Sequence, residues 1–311
     1  TEDIRILEIR NKSKLYNWKE TKMIRKTLLV IAILMLIIIG ITLLVIAYLL
    51  IADIQSKTPK KISQECYITS NEFIGRKIFT LTPKIKNEKE KYILYFHGGS
   101  YIAETSEEHW NFLESIVKDT GYTVILPDYP LAPKYTYEDV FTMIKPLYKE
   151  IIERISPEDL IMMGDSAGGG MALALEENLS EENEELPSKL ILISPWLDTR
   201  MENSKIDEVQ KNDKDLNKEA LKLAGIAYKG KNGKDTYLAN PIDGPLDKLK
   251  NVTIYTGTYD ILNPDVEILV QKAKEKNVTI DVKEYEECGH IWVVKDVSSQ
   301  GYKDLVIQTM E

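Results

Sequence analysis

The stretch that most limits how this chain can fold is Gly164-Asp165-Ser166-Ala167-Gly168-Gly169-Gly170. Before it, Leu160-Ile161-Met162-Met163 is a short apolar run of the kind that forms a buried strand. After it, Met171-Ala172-Leu173-Ala174-Leu175-Glu176-Glu177 is a run of good helix formers. A strand that enters a helix through G-x-S-x-G is a nucleophile elbow, with the serine on a tight, strained turn at the carboxyl end of a parallel sheet. Glycines flank the serine because a Cβ there would clash with the neighbouring strand or helix. The helix that begins at the serine aims its free N–H groups and positive dipole end at developing negative charge. The rival reading is a glycine-rich turn that carries an incidental serine.

Around the elbow the chain alternates strand and helix patterns. Residues 66–70 and 77–81 read as two edge strands around Asn71-Glu72, and 84–91 as a charged turn. Residues 92–96 read as a buried strand that runs straight into His97-Gly98-Gly99-Ser100. Thr105-Ser106-Glu107-Glu108 reads as a capping box that opens a helix closing at Gly121. Strands follow at 122–126, 189–194, 251–257 and 278–285, and helices at 137–155, 264–276 and from about 297. Residues 199–250 are polar and partly helix-prone, and they interrupt the rhythm as an insertion over a sheet's active edge would. This alternation predicts an α/β fold with a mostly parallel central sheet and helices on both faces. No internal repeat is visible.

One segment is foreign to a globular domain. Residues 27–52 contain no charge and consist almost wholly of Leu, Ile, Val, Ala and Met. At about 1.5 Å per residue this run exceeds the roughly 30 Å hydrocarbon core of a bilayer. Residues 1–26 carry eight basic side chains (Arg5, Arg10, Lys12, Lys14, Lys19, Lys22, Arg25 and Lys26) against four acidic ones, and the twenty residues after the run carry three lysines. That asymmetry predicts a cytoplasmic segment at 1–26, a signal-anchor helix at 27–52 and a tether at 53–66. The catalytic domain, 67–311, would then lie on the far side of the membrane. The run is longer than the apolar part of a cleavable signal peptide, and its exit, Leu50-Ile51-Ala52-Asp53, is not a small-x-small cleavage site. Met23-Ile24-Arg25-Lys26 would also serve as a start, leaving residues 1–22 as an extension.

The chain of 311 residues has a net charge of −9, so the remainder after its basic N-terminus is more acidic still. That argues against nucleic acid as a partner, because such binding needs a basic face. Three histidines (His97, His109, His290) and two cysteines (Cys66, Cys288) show no metal-ligand or redox spacing. The cysteines leave a disulfide and two free thiols equally open, and no motif specifies an oligomeric state.

A serine hydroxyl needs a base to take its proton, and the base needs an orienting carboxylate. Ser166, Asp260 and His290 occur in the order Ser, acid, His, each just past a predicted strand and so on one edge of the sheet. His97 precedes the nucleophile and would break that order, and His109 lies within a helix and is expected at the surface. Asp260 is preferred to Asp265, whose place in a helix's first turn has an ordinary dipole role. The expected oxyanion donors are the amides of Gly98, Gly99 and Ala167.

These motifs, with Asp128-Tyr129-Pro130-Leu131-Ala132-Pro133, Ser194-Pro195-Trp196-Leu197-Asp198, Tyr259-Asp260-Ile261-Leu262 and Gly289-His290, make residues 67–311 resemble the hormone-sensitive-lipase-like esterases of the α/β-hydrolase fold. The resemblance implies hydrolysis of small carboxylic esters with short to medium acyl chains, without a cofactor or metal. It also implies a cap, built partly by 199–250, over the pocket. A looser likeness to the arylacetamide deacetylase branch suits the membrane anchor. Ser100 stands in place of the usual third glycine, leaving two expected donors in that loop. Pro130 and Lys134 stand where relatives have Arg and Glu, so that ion pair is expected to be missing. The alternatives are a non-catalytic receptor on the same fold, disfavoured by the presence of His290, and amide hydrolysis.

Overall fold

This computed structural model describes residues 23, 25–45, 65–85, 87–231 and 233–311, which divide between two units, one within Thr1–Ala52 and one within Asp53–Glu311. Most of the expected cytoplasmic segment and tether, and the end of the expected signal-anchor at 46–52, lie outside the described residues. Among the described residues of the first unit, one helix, α1 (Arg25–Val45), is long and apolar enough to cross a membrane. Its two threonine hydroxyls turn back onto backbone carbonyls four residues earlier, Thr27 onto Met23 and Thr42 onto Ile38. Such hydroxyls need no outside partner in a medium that offers none.

The second unit is built on one eight-stranded sheet: β1 (Cys66–Phe73), β2 (Arg76–Pro83), β3 (Tyr92–Phe96), β4 (Thr123–Pro127), β5 (Leu160–Asp165), β6 (Lys189–Ile193), β7 (Val252–Gly257) and β8 (Ile280–Tyr285). The spatial order is β1-β2-β4-β3-β5-β6-β7-β8. β2 runs antiparallel to both β1 and β4, and all other pairs are parallel. The central strands are continuous apolar runs because both of their faces are buried. Leu94, Phe96, Met162 and Leu192 enter the core on one face, with α3 (Tyr137–Ile152), α4 (Ser166–Glu181) and α7 (Asn263–Glu275). Ile93, Tyr95, Ile161, Met163 and Ile193 enter the other, with α2 (Glu107–Thr120) and α9 (Gln300–Met310).

Two local expectations are corrected. The hairpin turns at Ile74-Gly75, not at Asn71-Glu72, since Phe73 pairs with Arg76 and both turn residues are left-handed, at φ +50° and +73°. A two-residue turn of that hand matches strand twist, so the glycine and not the polar pair sets it. The cap of α2 is Ser106 with His109 in the third position, which expectation had given to its neighbour Glu108. Gly121, at φ +70°, closes the helix as expected.

Between β6 and β7, residues 199–250 carry α5 (Ile206–Val209) and α6 (Lys218–Lys229). They are bound into the domain: Asn240 Oδ1 accepts the Thr199 amide at 2.9 Å and hydroxyl at 2.6 Å, and the Tyr228 ring stacks on Tyr101 with centroids 3.6 Å apart. Cys66 and Cys288 are both free thiols. They sit toward opposite edges of the sheet, and eight strands at about 4.8 Å spacing put those edges some 30 Å apart, far beyond the ~7 Å Cα separation that a bridge allows.

Helix α4, which carries Ser166, also buries Glu176 and Glu177 completely, and among the described residues Glu176 Oε2 and both Glu177 carboxyl oxygens have no hydrogen-bond partner. Burial pushes the Glu176 carboxyl up to about 8, and Glu177 is raised by burial and then by Glu176 beside it. A folded-state value above the unfolded one of about 4.3 contributes stability at low pH that drains away as pH rises through 8. The urea midpoint of the wild type should therefore fall between pH 6 and pH 9, and Glu176→Gln should flatten that fall. A variant whose pH dependence matched the wild type would show that the carboxyl is already charged at pH 6.

Candidate active site

Ser166 sits where β5 passes into α4, at φ +51°, a left-handed conformation that an L-residue holds only when its surroundings impose it. The surroundings leave no slack. A Cβ on Gly164 would stand 2.5 Å from the Gly168 carbonyl oxygen, and one on Gly168 would stand 2.0 Å from that of Phe96. The Trp196 amide donates to the Ser166 carbonyl at 2.8 Å, tying the elbow to the loop after β6.

Three loops at the carboxyl edge bring the expected trio together. His290 Nε2 lies 2.9 Å from Ser166 Oγ, and His290 Nδ1 lies 2.9 Å from Asp260 Oδ2. Asp260 is wholly buried, and its Oδ1 accepts the Leu262 amide at 2.9 Å. With Nδ1–H donated to that carboxylate, the Nε2 lone pair faces the serine hydroxyl. This is the arrangement a base needs to take the proton. Two further bonds hold the loops in register: the Ile261 amide donates to Asp213 Oδ2 at 2.9 Å, and the Ile291 amide to Ser194 Oγ at 3.1 Å. Asp213 belongs to the 199–250 segment, a support that sequence reading missed because nothing local marks it. Asp265, the rival acid, accepts instead from Asn203 Nδ2 at 2.9 Å, and burial pushes its carboxyl up to about 6.

The oxyanion loop departs from expectation at Gly98. Its amide donates to Asp165 Oδ1 at 2.9 Å, so that donor is already used within the protein. Among the described residues the amides of Gly99 and Ser100 donate to no backbone carbonyl, and that of Ala167 lies in the first turn of α4, where a helix offers no internal acceptor. Ser100 takes the third loop position at φ +55°, after Gly99 at +115°. His97 is buried against Tyr129, with ring centroids 4.4 Å apart, and its Nδ1 lies 2.6 Å from the Gly98 carbonyl. Burial drives its pKa down to about 3, which keeps the ring neutral. The Tyr129 hydroxyl donates to the His97 carbonyl at 2.6 Å. Tyr129 and Asp128 are in turn held by Arg76 of β2, whose Nε donates to the Asp128 carbonyl at 2.8 Å and whose Nη2 lies 3.2 Å from Asp128 Oδ2. Pro130 carries no charge, and the cation that pairs with Asp128 comes from a different strand.

His109 is not a surface residue. It is 5% exposed, and its Nε2 lies 3.1 Å from Asp165 Oδ2, while the Tyr95 hydroxyl donates to Asp165 Oδ1 at 2.6 Å. Burial alone would raise the Asp165 carboxyl, but His109 beside it and the bonds from Tyr95 and Gly98 outweigh this and hold it below the ordinary carboxylate range. Among the described residues no group of three or more His, Cys, Asp or Glu side chains is placed to hold a metal ion.

Known proteins carry the same architecture. An esterase of Acinetobacter venetianus is 32% identical over 204 residues, which are 62% of this chain and 64% of that protein. An acetyl-hydrolase of Streptomyces hygroscopicus is 28% identical over 207 residues, 64% of this chain and 67% of its own length. The matched region therefore spans only about two thirds of these relatives. A Staphylococcus aureus protein of known structure superimposes over 82% of this chain and 85% of its own, with a TM-score of 0.75 and 25% identity. An esterase from the bacterial hormone-sensitive lipase (HSL) family, at 24% identity and a TM-score of 0.73 over 80% of this chain and 84% of that one, shows the fold alone. The family model for the alpha/beta hydrolase fold matches residues 93–294, most of the chain and every loop of the candidate site, and the protein belongs to that family.

Proposed function

We propose that this protein is a membrane-anchored serine hydrolase of carboxylic esters, with Ser166 as nucleophile, His290 as general base and acid, and Asp260 as the group that orients the imidazole. The observation that carries the reading is the unbroken hydrogen-bonded chain Ser166–His290–Asp260, 2.9 Å at each link. Ser166 Oγ attacks the ester carbonyl carbon as His290 Nε2 takes its proton. The resulting oxyanion is received by the amides of Gly99 and Ala167, at the positive end of α4. As the tetrahedral species collapses, the C–O bond to the alcohol breaks and His290 returns the proton to the leaving oxygen. Water, deprotonated by His290, then releases the acid from the acyl-enzyme. Gly98, first expected as a third donor, holds the loop instead.

Residues 199–250 form the cap in this reading, because Tyr228 of α6 packs on Tyr101, just past the oxyanion loop. The names of relatives, an esterase and an acetyl-hydrolase, support short- to medium-chain acyl esters as substrates. Helix α1 serves as the anchor in this reading, and the basic excess at 1–26 supports a cytoplasmic N-terminus with the hydrolase domain beyond the membrane.

Three measurements bear on this. Ser166→Ala should abolish turnover of p-nitrophenyl esters and leave the melting temperature in place; retained turnover would remove Ser166 from the mechanism. Asp260→Asn should reverse the tautomer of His290 and lower kcat by about 10⁴-fold, as the loss of the orienting acid does in other serine hydrolases. Across a series from acetate to palmitate, kcat/KM should peak at short or medium chains, and a maximum at palmitate would reject that pocket size.

A further inference from the structure

The ester-hydrolase reading leaves one buried polar group without a task. His109, in the third position of α2, bonds in two directions. Its Nδ1 accepts the Ser106 amide at 3.0 Å and lies 2.8 Å from the Ser106 hydroxyl. A backbone N–H can only donate, so Nδ1 carries a lone pair, and the proton of the neutral ring is on Nε2, where it faces Asp165 Oδ2. The other Asp165 oxygen takes the Tyr95 hydroxyl and the Gly98 amide. The remaining ionisable neighbours of His109 are the His97 ring, with centroids 5.8 Å apart, and Glu108 on its own helix.

We propose that His109 is a positioning residue: by fixing both the tilt of the Asp165 carboxylate and the N-terminus of α2, it holds Gly98, and through Gly98 the Gly99 donor, against the nucleophile. The inference rests on Ser166 being the nucleophile. Other bonds hold the carbonyls of the loop, from Tyr129 to His97 and from the amides of Ile102 and Ala103 to Gly99, but Asp165 is what receives the Gly98 amide. A Cβ on Gly98 would stand 2.2 Å from Asp165 Oδ2 and 3.0 Å from the Ser166 Cβ, so the loop lies directly on the carboxylate and the elbow. The Gly98 amide can reach Oδ1 only while the carboxylate keeps its tilt, and Nε2–H on Oδ2 is what prevents it from swinging. Gly99 is the next residue, so a shift at Gly98 passes into it without an intervening joint.

Two substitutions divide the bonds of the imidazole between them. His109→Asn places an amide oxygen near the position of Nδ1, keeping the cap of α2 but not reaching Asp165. His109→Gln places an amide nitrogen near the position of Nε2, keeping the bond to Asp165 and giving up the cap. Steady-state kinetics and melting temperatures are measured on the full chain in detergent with p-nitrophenyl butyrate. His109→Asn should lower kcat by about 100-fold, the effect of roughly 1 Å of misplacement at a reacting centre. KM should stay close to wild type, while the melting temperature falls because the buried Asp165 carboxylate loses one of its donors. His109→Gln should melt lower by about 2–4 °C, as expected for a lost cap in a domain of this size, and keep kcat within a few-fold of wild type. Asp165→Asn, which spoils the same link from the other side, should lower kcat comparably, and the double variant with His109→Asn should fall no further. Should His109→Asn fail to fold, Asp165→Asn alone decides the matter, and a wild-type kcat in it would overturn the inference. Wild-type kcat in His109→Asn, equal kcat losses in both His109 variants, or independent losses in the double variant would each overturn the inference. A wild-type chain without ester turnover would instead reject the nucleophile assignment on which it rests.

Discussion

The site depends on a charge that has no access to water. The Asp165 carboxylate is wholly buried, one residue before Ser166, the proposed nucleophile. Taking such a group out of water costs several kcal/mol unless donors surround it. Here the donors come from three separate parts of the chain: the Tyr95 hydroxyl of β3, the Gly98 amide of the loop that follows, and His109 of α2 on the opposite face of the sheet from α4. Each donor pulls its own element toward the elbow. Losing one would leave a buried charge poorly compensated, at a cost of about 3–5 kcal/mol when a partner is removed outright. The need to satisfy one anion thus becomes a constraint on where the oxyanion loop lies.

The same logic applies to the whole carboxyl edge. Ser166 and His290 are 124 residues apart in sequence, and Asp260 stands on a third loop. A parallel sheet explains why they can meet, since all its strands end on the same side and the registers between β3, β5, β6 and β7 align those ends. Strand ends alone bring groups only into the same neighbourhood. Precision to a hydrogen-bond length comes from the bonds between loops: Trp196 amide to Ser166, Ile291 amide to Ser194, and Ile261 amide to Asp213. These bonds replace the rigidity that loops lack on their own.

What was legible in the sequence is what repeats at short range. The runs at 92–96 and 160–163 are apolar at every residue, and such runs signal burial on both faces without any knowledge of neighbours. The elbow was legible because its glycines are needed at fixed offsets by contacts of about 2–2.5 Å that only a missing Cβ allows. What could not be seen was set by partners far along the chain. His109 reads as a polar residue in a helix's first turn, and only the fold brings Asp165 to it across a separation of 56 residues. The Gly98 amide looks like a free donor for the same reason, and Arg76 and Asp213 do not stand out from other charged residues. The turn at Ile74-Gly75 was missed because the side chains at 71 and 72 are polar, whereas the backbone follows the residue that tolerates φ +73°.

In the proposed reaction the buried carboxylate would oppose catalysis if its charge were not offset. A negative charge beside the proposed nucleophile would repel the oxyanion, and in a low-dielectric interior that repulsion is poorly screened. The structure answers by turning the charge away from the reacting side. Both oxygens of Asp165 face donors behind the loop, so the carboxylate and its three donors form a group whose dipoles oppose its charge. His97, the other titratable group under the loop, is kept neutral by burial and adds no charge of its own. The positive end of α4 and the amides of Gly99 and Ala167 are then the donors left for the proposed oxyanion. The cost of burying an anion is met on one face of the loop, and its rigidity is delivered to the other.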